Sequence, residues 1–141
     1  RDWKIAFISR FFDNESPNFV QWRDQEILKL NADNLIERRL RTAIWQKTDL
    51  LAWLNALSDE AKQKQEWRYW MGKAVEKGNS QKAKEIFSEL SNERGFYPML
   101  ATAKLYPENR GAGYDFGQAE LYVARSISDP YWAHEYKKFQ P

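Results

Sequence analysis

Few residues in this chain have the types and spacing that chemistry requires. Asn14-Glu15-Ser16 sets a carboxylate beside a hydroxyl. A carboxyl acting as a general acid needs an apolar surround that raises its pKa. This pair instead precedes Pro17 in a polar turn, and it is expected to be non-catalytic. His134 is the only histidine and has no carboxylates at helical metal-binding spacing around it, so neither a metal site nor a histidine triad is expected. Gly111-Ala112-Gly113 lacks the Lys-Ser/Thr that a phosphate loop requires. No cofactor is implied.

Two further groups suit binding rather than catalysis. Arg38, Arg39 and Arg41, with Glu37, make a charged helix face whose guanidinium forks can pair carboxylates bidentately. A solvated face, or one ion-paired to a neighbouring helical hairpin, is the stronger reading. Trp67, Tyr69, Trp70, Phe96 and Tyr97 offer flat faces of the kind that pack on sugar rings. Trp67 and Trp70 lie on the apolar stripe of their helix and are expected in the core. Tyr69 lies off that stripe and Tyr97 at a helix start, so these two are expected to be the more exposed contacts.

Composition limits the remaining choices. The 141 residues suit one domain, and 43% apolar residues supply its core. The 22 basic and 20 acidic residues nearly balance at +2, which gives no support to nucleic-acid binding. The absence of cysteine excludes disulfides and thiolate metal sites, and it suits a cytoplasmic and a periplasmic protein equally. No apolar run approaches the roughly 20 residues of a membrane helix. Arg1-Asp2-Trp3 carries neither an initiator Met nor a signal-peptide pattern, as expected of a trimmed chain.

The elements that must position these residues are helices. Apolar residues in 3 to 12 suggest a first helix, and Ser16-Pro17 a cap and first turn for a second through Trp22, Ile27 and Leu28. Asn34 and Glu37 are spaced as a capping box for a third helix, carrying Ile36, Leu40, Ala43 and Ile44. Leu50, Trp53, Leu54 and Leu57 form a fourth stripe. Trp67, Trp70, Met71, Ala74 and Val75 mark a helix from about Ser58, closed by Gly78 in a left-handed turn. Asn79 and Ser80 open the next helix, with Ala83, Ile86, Phe87 and Leu90 on its stripe and Gly95 ending it after Arg94. Phe96-Tyr97-Pro98 starts a short helix through Leu105.

Beyond it, Pro107, Gly111, Gly113 and Gly117 predict a loop over 106–117, with one more amphipathic helix expected over Gln118 to Ile127. Helical hairpins on short turns bury their stripes by stacking. The expected fold is all-α, a right-handed superhelix or α-solenoid of antiparallel hairpins, tetratricopeptide-like. It would occupy residues 1–105, with 106–141 a linker and tail. Trp67, Trp70, Ala74, Gly78, Ala83, Phe87 and Leu90 approximate one tetratricopeptide repeat, with Met71 at the position of its small residue and no closing Pro.

Three stretches carry a more specific likeness: Trp22-Arg23-Asp24; Asn34-Leu35-Ile36-Glu37-Arg38-Arg39; and Glu66-Trp67-Arg68-Tyr69-Trp70 followed by Arg94-Gly95-Phe96-Tyr97-Pro98-Met99. Together they resemble the late superhelical region of the soluble lytic murein transglycosylases, over about residues 1–105. The tail 106–141 departs from that pattern. The resemblance implies a periplasmic scaffold beside a separate lysozyme-like domain. That domain cleaves glycan between N-acetylmuramic acid and N-acetylglucosamine to a 1,6-anhydro product, using a Glu in a Glu-Ser motif and carrying a Gly-Leu-Met-Gln stretch absent here. The implied partners are peptidoglycan glycan strands or the parent's catalytic domain, and the arginine face would read a lactyl carboxylate or peptide stem. The alternative is a tetratricopeptide-like protein-interaction module.

Overall fold

The computed structural model describes residues 1–107 and 116–128. Nine helices occupy them: α1 Asp2–Arg10, α2 Pro17–Leu30, α3 Asp33–Gln46, α4 Leu51–Ala56, α5 Asp59–Lys62, α6 Gln65–Val75, α7 Ser80–Leu90, α8 Phe96–Leu105 and α9 Phe116–Ser128. No strand occurs among the described residues. Consecutive helices pack as hairpins, α2 with α3, α3 with α4, α6 with α7 and α7 with α8, to form an α-solenoid. The last helix, α9, returns against α3. None of these helices is long and apolar enough to cross a membrane.

Local chemistry explains most of the boundaries. Pro17 occupies the first turn of α2, where its missing N–H is not needed. Asn79 caps α7 by accepting from the Lys82 backbone N–H at 3.0 Å. Ser58 caps α5 in the same way through Ala61. The expected stripes form the core: Ile36, Leu40, Ala43 and Ile44 of α3, Trp67 and Trp70 of α6, and Ala83, Phe87 and Leu90 of α7 are all buried.

Several boundaries differ from expectation. The helix expected from Ser58 is two helices, α5 and α6, with Gln63 and Lys64 between them. The Asn34–Glu37 capping box does not form, because α3 starts at Asp33 without a side-chain cap. Asp33 instead accepts from the backbone N–H and the hydroxyl of Ser58, at 2.9 and 2.5 Å. Glu37 crosses to α6, where it accepts from Trp67 Nε1 at 2.7 Å and Lys64 Nζ at 2.8 Å.

The left-handed turn residues are also not where they were expected. Asn31 and Lys47 adopt positive φ after α2 and α3, whereas Gly78 does not. Gly95 does not end α7, which stops at Leu90, but precedes α8 with φ 142°. A Cβ at Gly95 would lie 2.7 Å from Gln65 Oε1, so conformation and space both favour glycine there. The small residue of the tetratricopeptide-like hairpin is Gly72, not position 71, and a Cβ there would meet the Phe87 ring at 2.6 Å. Gly117 falls in the first turn of α9, so the expected loop over 106–117 ends earlier.

Candidate functional site

The arginines of α3 are already engaged between helices. Arg38 Nη1 donates to the Ser9 carbonyl at 2.8 Å, and its Nη2 lies 3.5 Å from Asp13 Oδ2. Arg39 Nε donates to Asp24 Oδ1 at 3.0 Å, and its guanidinium lies 4.9 Å from the Trp53 ring centroid. Arg41 forks onto Glu66, Nε at 3.1 Å and Nη2 at 2.9 Å, and lies over Trp67. Burial opposes the charge on Arg41, but the hydrogen bonds and charge of Glu66 more than offset it, and its pKa is raised. One helix face thus ties α3 to the α1 end, to α2 and to α6.

A buried neighbour completes the arginine cluster. Arg23 is 5% exposed, donates from Nη1 to the Phe12 carbonyl at 2.7 Å, and shares Asp24 Oδ1 with Arg39. Arg23 and Arg38 both lie over the Phe12 ring, 4.5 and 4.3 Å from its centroid. Beside them a polar cleft of about 410 Å³ is lined by Asn14, Glu15, Arg23, Arg39, Thr42 and Gln46 among others. Arg39 Nη1 is buried with no hydrogen-bond partner among the described residues.

The tyrosines sit elsewhere, in an aromatic knot between α6, α7 and α8. Tyr69 was expected to be exposed and is instead fully buried. The reason is that α6 is central: α4, α5, α7 and α8 pack around it, so a position off the main stripe still faces protein. The Tyr69 ring lies 5.4 Å from Trp70, 5.6 Å from Phe87 and 5.6 Å from Tyr97. Its hydroxyl donates to Glu120 Oε1 of α9, while Lys73 Nζ lies 3.2 Å from Glu120 Oε2. Burial, then the charge of Glu120, pushes the Tyr69 pKa far up, so the phenol stays a donor. Tyr97 is half-buried, and its pKa is raised by burial and then by the charge of Glu66. Its hydroxyl has no partner meeting hydrogen-bond geometry among the described residues.

No protein-family model matches the chain. A Haemophilus influenzae protein assigned by name to the soluble lytic murein transglycosylases is 54% identical over 123 residues, covering 85% of this chain and 20% of its own length. The soluble lytic murein transglycosylase of Escherichia coli K12 is 43% identical over 92 residues, 63% of this chain and 14% of that protein. The crystal structure of the 70 kDa soluble lytic transglycosylase Slt70 from E. coli superposes with a TM-score of 0.63 at 33% identity, over 87% of this chain and 22% of that one. The complex of the 70 kDa soluble lytic transglycosylase with bulgecin A gives a TM-score of 0.62. Over one segment of their length, proteins named soluble lytic murein transglycosylase are thus homologous to most of this chain.

That segment spans about a fifth of the length of the Haemophilus relative and of Slt70. A match over 85% of 141 residues, about 120, is longer than the stretch 1–105 that carries the motifs, so the likeness to the transglycosylases reaches past Leu105. Each motif of the resemblance has a structural use. In Trp22-Arg23-Asp24, Asp24 accepts from Arg23 and Arg39; in the α3 motif, Glu37 and Arg38 bond to neighbouring elements; in the α6 motif, Glu66, Trp67 and Tyr69 do so.

Glu15, the acid of the Glu-Ser pair, is exposed, and the Ser16 backbone N–H donates to Asn14 Oδ1 at 2.9 Å. His134 and Gly111-Ala112-Gly113 lie outside the described residues. No group of three or more metal-ligating side chains occurs among the described residues.

Sequence reasoning missed Glu120 and Asp24, each of which accepts from two partners. A signal existed for Glu120, since it lies four residues before Ala124, on the buried stripe of an amphipathic helix. A charge on such a stripe implies a buried partner.

Proposed function

We propose that this chain is a non-catalytic superhelical scaffold segment of a periplasmic peptidoglycan lytic transglycosylase. In this reading it holds or guides glycan strands, and a lysozyme-like domain of the parent enzyme makes the 1,6-anhydro product. The observation that carries the proposal is the 54% identity over 85% of the chain to a fifth of a transglycosylase relative. The exposure of Glu15 supports assigning no bond cleavage to this segment, because a solvated carboxyl lacks the enclosed apolar surround of a general acid. The proposed domain division puts the hairpins in residues 1–105 and the linker with α9 after them.

For glycan contact the polar cleft beside Arg39 is the favoured location. Its amides, carboxylates, hydroxyl and guanidinium groups match the donors and acceptors of sugar hydroxyls, and about 410 Å³ lies in the range of small-ligand sites. Arg39 is the candidate contact carried forward, since it lines the cleft and its buried Nη1 has no partner among the described residues. Arg38 and Arg41 act here as inter-helix ties.

Cosedimentation with insoluble peptidoglycan tests the proposal, with denatured chain and cellulose as controls for nonspecific pelleting. Saturable pelleting of folded chain on peptidoglycan alone is the expected result. Equal pelleting on cellulose, or none on peptidoglycan, overturns glycan holding. A second reading, a tetratricopeptide-like protein-binding module, draws on the exposed aromatics in and just after α1, where Trp3, Phe7 and Phe11 are 64%, 40% and 41% exposed. Pelleting would separate it from the first.

A further inference from the structure

A cleft of about 530 Å³ opens where α3, α6 and α9 meet. Its apolar side combines buried Ala43, Ile44 and Trp70 with the partly exposed Leu50, Ala74 and Leu121. Its rim carries three cations, Lys47, Lys73 and Lys77, and two anions, Asp49 and Glu120.

These charges are not equally available. Lys73 pairs with Glu120, the carboxylate that also accepts from Tyr69. Asp49 Oδ1 accepts from the backbone N–H of Leu51 at the start of α4. Lys47 and Lys77 are exposed and have no ion-pair or hydrogen-bonding side-chain partner among the described residues. Lys47 also stands at a backbone position that favours glycine or asparagine. It follows α3 with φ 59° and ψ 41°, its N–H directed at the Ala43 and Ile44 carbonyls. The cleft edge therefore bears a lysine where glycine would sit more comfortably.

An apolar floor with two unpaired cations selects among ligands. A neutral glycan could accept hydrogen bonds from the lysines but would leave their charges unpaired. A nucleic acid strand needs a longer run of cations than two. A small apolar group attached to a carboxylate complements both features.

We propose that this cleft binds a short peptide ending in a free carboxylate, the terminal apolar side chain lying on Trp70 and Leu121 and the carboxylate between Lys47 and Lys77. The site is separate from the polar cleft at Arg39 and does not depend on glycan holding. It needs α9, which supplies Leu121 and the Glu120 that occupies Lys73.

The test is an NMR titration of the 141-residue chain, uniformly labelled with nitrogen-15, with acetyl-Ala-Ala bearing a free carboxylate and in parallel with the same peptide as its C-terminal amide. Saturable shifts are expected around Lys47 to Leu50, Trp70 to Lys77 and Leu121. The amide should bind roughly tenfold or more weakly, as loss of a charge-assisted contact implies. Lys47→Gln and Lys77→Gln should each weaken the acid and leave the amide unchanged. Lys77 lies beyond the end of α6, so its variant leaves the fold intact even if Lys47→Gln disturbs the α3 terminus. Equal affinity for acid and amide, shifts located elsewhere, or no shifts at several millimolar peptide would each overturn the proposal. No peptidoglycan is present, so failure here is distinct from failure of the scaffold reading.

Discussion

Glu37 offers the sharpest test of how the hairpins are held in register. It is 9% exposed on α3 and accepts from Trp67 Nε1, 30 residues away on α6, while Trp67 is 1% exposed. A hydrogen bond to a charged acceptor contributes about 1.5–3 kcal/mol. The second partner, Lys64, has a side chain 55% exposed, and a pair with one solvated member contributes about 0–1 kcal/mol. Glu37→Leu therefore removes mainly the indole bond and leaves a buried N–H unpaired, an expected loss of about 2–3 kcal/mol. Glu37→Gln keeps a carbonyl oxygen for the indole and should lose about 1 kcal/mol or less. Urea unfolding followed by far-ultraviolet circular dichroism measures these losses. Trp67→Phe, alone and combined with Glu37→Leu, completes a double-mutant cycle with an expected coupling of about 1.5–3 kcal/mol. A coupling below about 0.5 kcal/mol, or equal losses for Gln and Leu, would refute the assignment of this bond as a tie between α3 and α6 beside the Arg41–Glu66 pair.

Three other outcomes follow from the structure. Gly72→Ala places a Cβ 2.6 Å from a Phe87 ring that is itself buried against Tyr69, so overpacking of about 1–3 kcal/mol should exceed the helix-propensity gain of about 1 kcal/mol. Thermal melts should show a lower midpoint, lower still for Gly72→Val, and a stabilised Gly72→Ala would contradict the close approach. Asp33, held below its usual pKa by its hydrogen bonds from Ser58, contributes stability above about pH 4, its unfolded range, and loses it as pH falls through the lowered folded value. Asp33→Asn should accordingly narrow its stability gap to the parent chain in acid unfolding between pH 4 and its folded pKa. The isolated chain should release no anhydromuropeptide from peptidoglycan, and release that disappears in Glu15→Gln would reverse the non-catalytic reading.

What could be read from the sequence was what depends on neighbours along the chain. Pro17, Asn79 and the stripes of α3 and α7 act within a turn or two, and their spacing carries the information. Tyr69 could not be placed that way, because its burial depends on how many helices surround α6. A hint was present, since Trp67, Tyr69, Trp70 and Met71 together leave little of that helix polar. The Asn34–Glu37 spacing misled for a related reason: Glu37 had a stronger partner in Trp67 than in its own helix terminus. Candidate contacts were hardest to read, because a guanidinium on a helix face looks the same whether its carboxylate is a ligand or the next hairpin.

The use of charge in this segment follows from that ambiguity once the partners are known. Arginine offers a planar fork that can bond and stack on a ring at once, and Arg23, Arg38, Arg39 and Arg41 each do both. Most of these guanidinium bonds are thereby committed to the fold, and Arg39 Nη1 is a nitrogen left without one. Lysine carries its charge on a flexible stem and makes fewer fixed contacts, so unpaired lysines at a cleft edge can take an external anion without loosening the fold. The division of roles is therefore largely physical: guanidiniums and their carboxylates chiefly hold neighbouring hairpins together, Arg39 keeping one nitrogen unbonded, while the ammonium groups at Lys47 and Lys77 are unpaired at the cleft edge. Glu120 joins the two roles, because by engaging Tyr69 and Lys73 it docks α9 and at the same time removes one cation from the cleft.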